Sequence, residues 1–293
     1  MENNINIQLH NAFKDITYSD SSHSYYKGGN RLQSVTQFLR SLKSKFDREY
    51  FSIYKAYEFS GLSPKYNWKD HQNRQIMLED GTLIYLSDEH NIRVTPEMVL
   101  DQWQIDSDTG MARGTYIHNY LECKEQRLLD IPQLPYLNSL DTIQAIRFYN
   151  SIQVGIGLAN QFLDYAKSNL VPIAMEYVVG SDSLNLAGRF DRLYWNIQDK
   201  EYQIWDFKTD KKIEFSGRDK LAIFKLPNCE FEKYSLQCSI YKYCIEEGIG
   251  ESIGRSQIVH FDLRNNEWKI LPCTDYTQLI KEKSGEIFSR IQK

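Results

Sequence analysis

Apolar and polar positions change period near residue 170. Before it the spacing is mostly helical. Ser34-Val35-Thr36 opens a run with Phe38, Leu39 and Leu42 on one face, with Ser34 or Thr36 as the cap. Residues 47–60 read as a helix stopped by Gly61. Thr95-Pro96-Glu97 sets a capping residue before a proline at the first helical position, and Met98, Val99 and Trp103 follow. A second helix is expected from about Ala112 to Leu129, a loop at Pro132 and Pro135, and a helical stretch over 139–169 interrupted near Gly155 and Gly157. Residues 17–33 break the pattern. Thr17-Tyr18 and Tyr25-Tyr26 flank polar residues, and Lys27-Gly28-Gly29-Asn30 is a turn, so a hairpin is predicted. Residues 62–93 fit neither period.

After residue 170 the pattern becomes that of strands. Pro172 to Val179, 184–197 and 201–208 read as strands, the last two joined by a polar turn at Gln198 to Lys200. A helix over 230–247 stops at Gly248, strands follow at 256–263 and 267–271, and a last helix covers about 275–291. The class is α/β: a mixed central sheet flanked by helices, with a helical N-terminal elaboration. The expected division is 1–93 for the N-terminal hairpin and helices and 94–293 for the core.

The hairpin carries the chemistry. With its turn centred between Asp199 and Lys200, Asp191 faces Lys208 and Leu193 faces Asp206. Side chains alternate along a strand and cross-strand partners share a face, so Asp191, Asp206 and Lys208 project together while Phe207 points into the core. A one-residue slip would destroy this arrangement. Two carboxylates this close repel, and one would be driven to protonate unless a cation joined them. Carboxylate oxygens suit Mg²⁺, with an adjacent ammonium to orient a water. For Asp206-Phe207-Lys208 alone, an exposed salt bridge on a solvated strand is the simpler account.

Other residues shift that balance. Glu176 is a carboxylate inside the apolar run Met175-Glu176-Tyr177-Val178-Val179. His118 and Glu122 lie four apart on a helical segment and share a face, as do Gln237 and Tyr241, with Tyr234 on the same side. Each alone suits packing or surface structure better than catalysis. In order, though, G-T-Y-I-H-N-Y-L-E (114–122), Glu176, G-R-F-D (188–191), D-F-K-T (206–209) and Q-C-S-I-Y (237–241) resemble the RecB-like branch of the PD-(D/E)XK nuclease superfamily. S-V-T-Q-F-L (34–39), and Trp103 ahead of R-G-T-Y-I-H, resemble phage-type and mitochondrial genome-maintenance exonucleases of that branch.

The resemblance implies a restriction-endonuclease-like core over 94–293 and a set of roles. His118, Asp191 and Asp206 would ligate the metal, Mg²⁺ or Mn²⁺, with the backbone carbonyl of Phe207 as a further ligand. Lys208 would assist the attacking water, and Glu176 would support the metal or its water shell as a fourth catalytic residue. Gln237, Tyr241, Thr209 and Arg189 would contact substrate. The implied activity is hydrolysis of phosphodiester bonds in DNA, by an exonuclease of replication, recombination or end processing. A structure- or strand-selective endonuclease is the enzyme rival, and a non-catalytic binding or assembly protein retaining the fold is the rival of another class.

Composition narrows this further. The formal charge of −4 excludes a basic nucleic-acid coat protein, although Lys208, Lys211, Lys212, Arg218, Lys220, Lys225 and Lys233 concentrate positive charge in one stretch. Arg31, Arg40, Lys43, Lys45 and Arg48 could guide a strand or form a plain solvated face. Tyr50, Phe51, Tyr54, Tyr57 and Phe59 could stack on bases, but helical core packing explains them more simply. His23 reads as a surface residue.

The five cysteines, Cys123, Cys229, Cys238, Cys244 and Cys273, have neither C-x-x-C spacing nor that of an iron–sulfur staple, so no iron–sulfur cluster is expected. Their pattern suits a reduced compartment. Without an apolar leader or a membrane-length apolar run, a cytoplasmic protein is expected, in the host cytoplasm if phage-encoded. No phosphate-loop motif is present, so unwinding would come from a partner. The expected partners are single-stranded DNA or duplex ends, and a strand-annealing protein, helicase or polymerase.

Overall fold

The computed structural model of the chain describes all residues except 1, 20, 21, 23, 44, 129–131, 218 and 293, so the expectations for His23, Leu129 and Arg218 lie outside the described residues. Spatially the chain forms two compact units, cut elsewhere than at residue 93. One comprises 1–43, 113–135 and 146–293, the other 44–112 and 136–145.

The first unit is built on an eight-stranded mixed sheet. Its N-terminal part is the helix α1 (Glu2–Phe13) and strands β1 (Ile16–Ser19), β2 (Ser24–Lys27) and β3 (Asn30–Ser34), followed by α2 (Val35–Ser41). The predicted hairpin is therefore three-stranded, with Gly28 and Gly29 supplying the left-handed turn between β2 and β3. α1 was not foreseen, yet Ile5, Leu9 and Phe13 recur every four residues and are all buried.

The unit continues with the end of α5 (Pro96–Glu125) and most of α6 (Thr142–Asn169). Strands β7 (Leu170–Ser181), β8 (Leu186–Asn196) and β9 (Glu201–Lys208) follow, then α7 (Glu230–Ile249), β10 (Gln257–Asp262), β11 (Glu267–Pro272) and α8 (Thr277–Ile291).

Two glycines read as helix breaks, Gly155 and Gly248, behave otherwise. α5 is one helix from Pro96 to Glu125 rather than two, and α6 passes through Gly155 without interruption. A Cβ on Gly155 would meet Ile117 Cδ1 at 2.7 Å, so this glycine lets α6 approach α5. α7 likewise runs past Gly248, where a Cβ would meet Phe13 at 2.5 Å, and ends at Gly250, which adopts φ +72°.

The hairpin register differs from the expected one by two residues. Arg192 pairs with Trp205 and Asn196 with Glu201, so the turn centres between Gln198 and Asp199, with Lys200 at φ +56°. A shift of two conserves side-chain parity, so Asp191, Asp206 and Lys208 still share one face. Phe207 is buried on the other, 5.2 Å by ring centroids from Phe162 of α6 and 6.0 Å from Phe261 of β10.

β8 creates the opening that the site occupies. Along one edge it pairs with β7 over nearly its whole length. Along the other, β3 takes Leu186 and Ala187 and β9 takes Arg192 to Asn196. Gly188 to Asp191 pair with neither, and β9 turns its far edge to β10 in parallel. The strands fork at this point.

The second unit contains α3 (Arg48–Phe59), α4 (Trp68–Gln72), the start of α5, and a three-stranded antiparallel sheet of β4 (Pro64–Lys65), β5 (Gln75–Leu78) and β6 (Leu83–Tyr85). The mixed segment 62–93 is thus a small sheet with a short helix. Tyr50, Ile53, Tyr57, Ile76 and Leu78 form its core. No described helix is long and apolar enough to cross a membrane.

Candidate active site

The fork leaves the middle of β8 without a ladder partner, and Asp191 replaces it with its side chain. Asp191 Oδ2 accepts the Phe207 backbone N–H at 2.7 Å. The carboxylate is thereby fixed in the gap between the strands.

Glu176 lies on β7 between the pairs Met175–Arg192 and Tyr177–Phe190, which sets it opposite Asp191. Its backbone is left-handed at φ +45°, a costly conformation for a residue with a Cβ inside a strand. Two arginines hold its carboxylate. Arg189 Nε stands 3.1 Å from one oxygen and Arg192 Nη1 3.4 Å from the other.

His118 comes from α5. Its Nε2 lies 3.0 Å from the Phe207 carbonyl, which can only accept, so Nε2 carries the hydrogen. Nδ1 then faces Asp191 Oδ2 at 3.6 Å. Gly114, one turn earlier on α5, lets the helix approach the end of β9, where a Cβ would touch Thr209 Oγ1 at 3.4 Å. One ligand atom each from His118, Glu176 and Asp191 lie within 4.8 Å of one another.

Asp206 is held differently. It is 2 % exposed, and the Lys208 ammonium stands 2.5 Å from its Oδ2. That ion pair is Asp206's main charge partner, and the carboxylate is otherwise enclosed. Burial, with Asp191 adding to it against the pull of Lys208, pushes the Asp206 carboxyl up to about 6. Glu176 is raised too, by burial and by Asp191, against His118 and the two arginines. Burial disfavours the Lys208 ammonium, but the Asp206 and Asp191 charges outweigh it and hold its pKa above the ordinary lysine value. The Tyr234 ring lies 4.7 Å beneath Lys208, and its hydroxyl donates to Asp210 at 2.6 Å. Lys208 is therefore a fixed cation.

This arrangement fits a divalent cation. Three donors of oxygen and imidazole type converge, and Glu176 and Asp206 are kept protonation-prone by burial and by repulsion from Asp191, a conflict that a cation would relieve. The geometry brings the expected residues together as follows. Glu176, expected to act in support, is a member of the converging triad. Asp206, expected beside His118 and Asp191 as a ligand, has its Oδ2 turned to Lys208. The Phe207 carbonyl, expected as a ligand, accepts from His118.

Tyr241 is only 2 % exposed, and packs where a Cβ on Gly188 would meet its Cε1 at 2.6 Å. Its hydroxyl accepts a hydrogen bond from Gln237 at 3.1 Å. Gln237 is half-buried above it, and Arg189 keeps 45 % of its side chain exposed beside Glu176.

Sequence reasoning missed Arg192, Glu125 and Tyr194. Arg192 is fully buried, joins Glu125 at 2.6 Å to Glu176, and donates to the Asp191 carbonyl at 2.7 Å. Tyr194 donates to the other Glu125 oxygen. The available signal was an arginine at an inward position of an otherwise apolar strand.

Residues 104–278, more than half of the chain, match the sequence model of the PD-(D/E)XK nuclease superfamily. The chain belongs to that superfamily, and its mixed sheet with flanking helices is the restriction-endonuclease-like α/β core. It is a nuclease fold carrying a cluster able to hold a metal. No curated protein matches the chain.

Proposed function

We propose that the protein is a divalent-metal-dependent deoxyribonuclease of the RecB-like branch, an exonuclease that works from DNA ends in replication, recombination or end processing. The observation that carries this reading is the convergence of His118, Glu176 and Asp191 within 4.8 Å at a fork whose other arm presents Asp206 and Lys208. The order of the motifs from 114 to 241 supports the branch.

His118, Glu176 and Asp191 hold the ion, with Asp206 and the Phe207 carbonyl completing its surroundings. Carboxylates suit Mg²⁺, and the imidazole favours Mn²⁺ as an equal or better occupant. When bound, such an ion supplies positive charge against the phosphate and makes a water more acidic.

The protein's own groups do the rest. Lys208 stays protonated, so it serves as a hydrogen-bond donor and a charge rather than a base, orienting the attacking water and countering charge on the phosphate oxygens. Arg189 uses its Nε on Glu176 and offers its terminal nitrogens to a phosphate. Gln237 contacts the strand and Tyr241 positions it from beneath; Thr209 borders the path beside Gly114.

The test is a digest of end-labelled single-stranded DNA, linear duplex and closed circular DNA, in Mg²⁺ or Mn²⁺ and in EDTA. Linear substrates are degraded, circles survive, and EDTA abolishes cleavage. Cut circles would make the enzyme an endonuclease. No cleavage of any DNA or RNA form would leave a binding protein in place of the nuclease.

A further inference from the structure

The second unit carries an aromatic surface that the catalytic reading does not use. It precedes residue 104, where the match to the superfamily begins. Most of the tyrosines in α3 point inward, and Tyr50 is completely buried. The exposed rings lie on flanking segments: Phe46 at 54 %, Tyr66 at 43 % and Trp68 at 60 %. They form one tier. Phe46 stacks on Phe51 at 5.1 Å and 6°, and Phe51 stacks on Tyr66 at 5.9 Å and 21°. Trp68 stands edge-on to His71 at 5.5 Å. His71 is fixed by Asp47 at 3.1 Å and by the Tyr50 ring at 4.0 Å. Phe46 also meets Trp103 at 5.7 Å and 56°, so the rings are braced against one another while Phe46, Tyr66 and Trp68 keep large exposed surfaces. A single exposed ring needs no explanation, but a contiguous exposed tier does.

Charge selects the occupant. Residues 44–74 hold six basic and four acidic side chains, whereas the rest of the unit holds one basic and nine acidic. Arg48, Lys65 and Lys69 are exposed around the tier and form no ion pair among the described residues. A polyanion is therefore favoured by this segment over the strongly acidic remainder of the unit. A polyanion that also offers flat rings is a nucleic acid with unpaired bases.

We propose that Phe46, Tyr66 and Trp68 form a stacking platform for the bases of single-stranded nucleic acid. The proposal deepens the nuclease reading by naming the form of strand it takes, and rests on that reading for its purpose alone. Binding is measured by anisotropy on the full chain in EDTA, where no strand is cut. The probes are a labelled oligothymidylate of about 12 nucleotides, the same backbone without bases, and a blunt duplex.

The wild-type chain binds the thymidylate at least about tenfold more tightly than the abasic strand, as stacking on two or more rings requires. Tyr66→Ala with Trp68→Ala reduces that preference to about twofold or less, with abasic binding and melting temperature unchanged. Tyr66→Phe with Trp68→Phe retains it. In Mg²⁺ the alanine pair raises KM for single strands and leaves kcat unchanged. A preference that survives the alanine pair, or duplex and abasic strands bound as tightly as the thymidylate, would overturn the platform. Base-dependent binding without metal-dependent cleavage of any nucleic acid would remove the nuclease reading and leave the platform standing. Cleavage without base preference would do the reverse.

Discussion

Glu176, half-buried, and Asp206, buried, both neighbour Asp191 and are held above the usual carboxylate range, yet the protein holds them by opposite means. Asp206 stands on a regular strand with β10 beside it and one lysine against one oxygen. Glu176 stands on a left-handed residue inside β7 and has an arginine at each oxygen. The first is positioned by the ladder, and its partner comes two residues along the same strand. The second is positioned against the preference of its own backbone by Arg192, whose other partner, Glu125, lies 67 residues before it on α5. One arm of the fork is local and the other is assembled from across the fold. Changes to the two arms should therefore fail differently.

The largest effect is expected on the local arm. Lys208→Ala removes the fixed cation and leaves the converging triad intact. Its cleavage rate should fall by about a thousandfold, the scale for losing one donor aimed at developing charge, while calorimetry still finds Mn²⁺ bound. Lost metal binding would show that Lys208 maintains the site rather than acting in it.

On the assembled arm, Arg192→Leu leaves Glu125 and Glu176 buried without their shared cation. Denaturant unfolding should show a loss of about 3–5 kcal/mol. A loss below about 1 kcal/mol would show that Arg192 does not hold this arm together.

The third prediction concerns pH. Asp206, raised to about 6, and Glu176, raised in the same direction, favour the folded metal-free protein when protonated. That contribution is complete below the ordinary carboxylate pKa and is lost as pH rises through the folded value. The melting temperature of the metal-free protein should fall between pH 4 and about 6 relative to a chain with Asp206→Asn. Mn²⁺ affinity should rise over the same window, because the ligands must lose their protons. A metal-free stability that increases across this window would contradict the assignment.

The smallest effect isolates the backbone of Glu176. Glu176→Gly and Glu176→Gln both remove the carboxylate, but only glycine relieves φ +45°. The glycine variant should be the more stable of the two by about 1 kcal/mol. The reverse order would mean that the left-handed backbone stores no strain.

The same contrast explains what could be read from the sequence. The shared face of Asp191, Asp206 and Lys208 was legible because side-chain parity survives a two-residue error in the turn. The register itself was not, since nothing in Asn196 to Glu201 distinguishes the two centrings before Lys200 is seen to take the left-handed position. Glu176 stood out as a carboxylate in an apolar run, but its membership of the triad depends on a break in the ladder that no local pattern encodes. Arg192 carried a signal in its inward position, but its role did not follow because its partner lies on a distant helix. Gly155 and Gly248 misled because helix breaks and helix contacts use the same residue for different reasons: one needs a free φ, the other an absent Cβ. α1 was missed although its four-residue apolar spacing was present.

The central claim is that His118, Glu176 and Asp191 form a cation site at the mouth of the fork. Calorimetric titration of Mn²⁺ into the wild-type chain and Asp191→Asn, near pH 7 and at matched melting temperature, tests it most directly. The account predicts one saturable site in the wild type and an affinity at least about tenfold weaker in the variant. Equal affinities would contradict it.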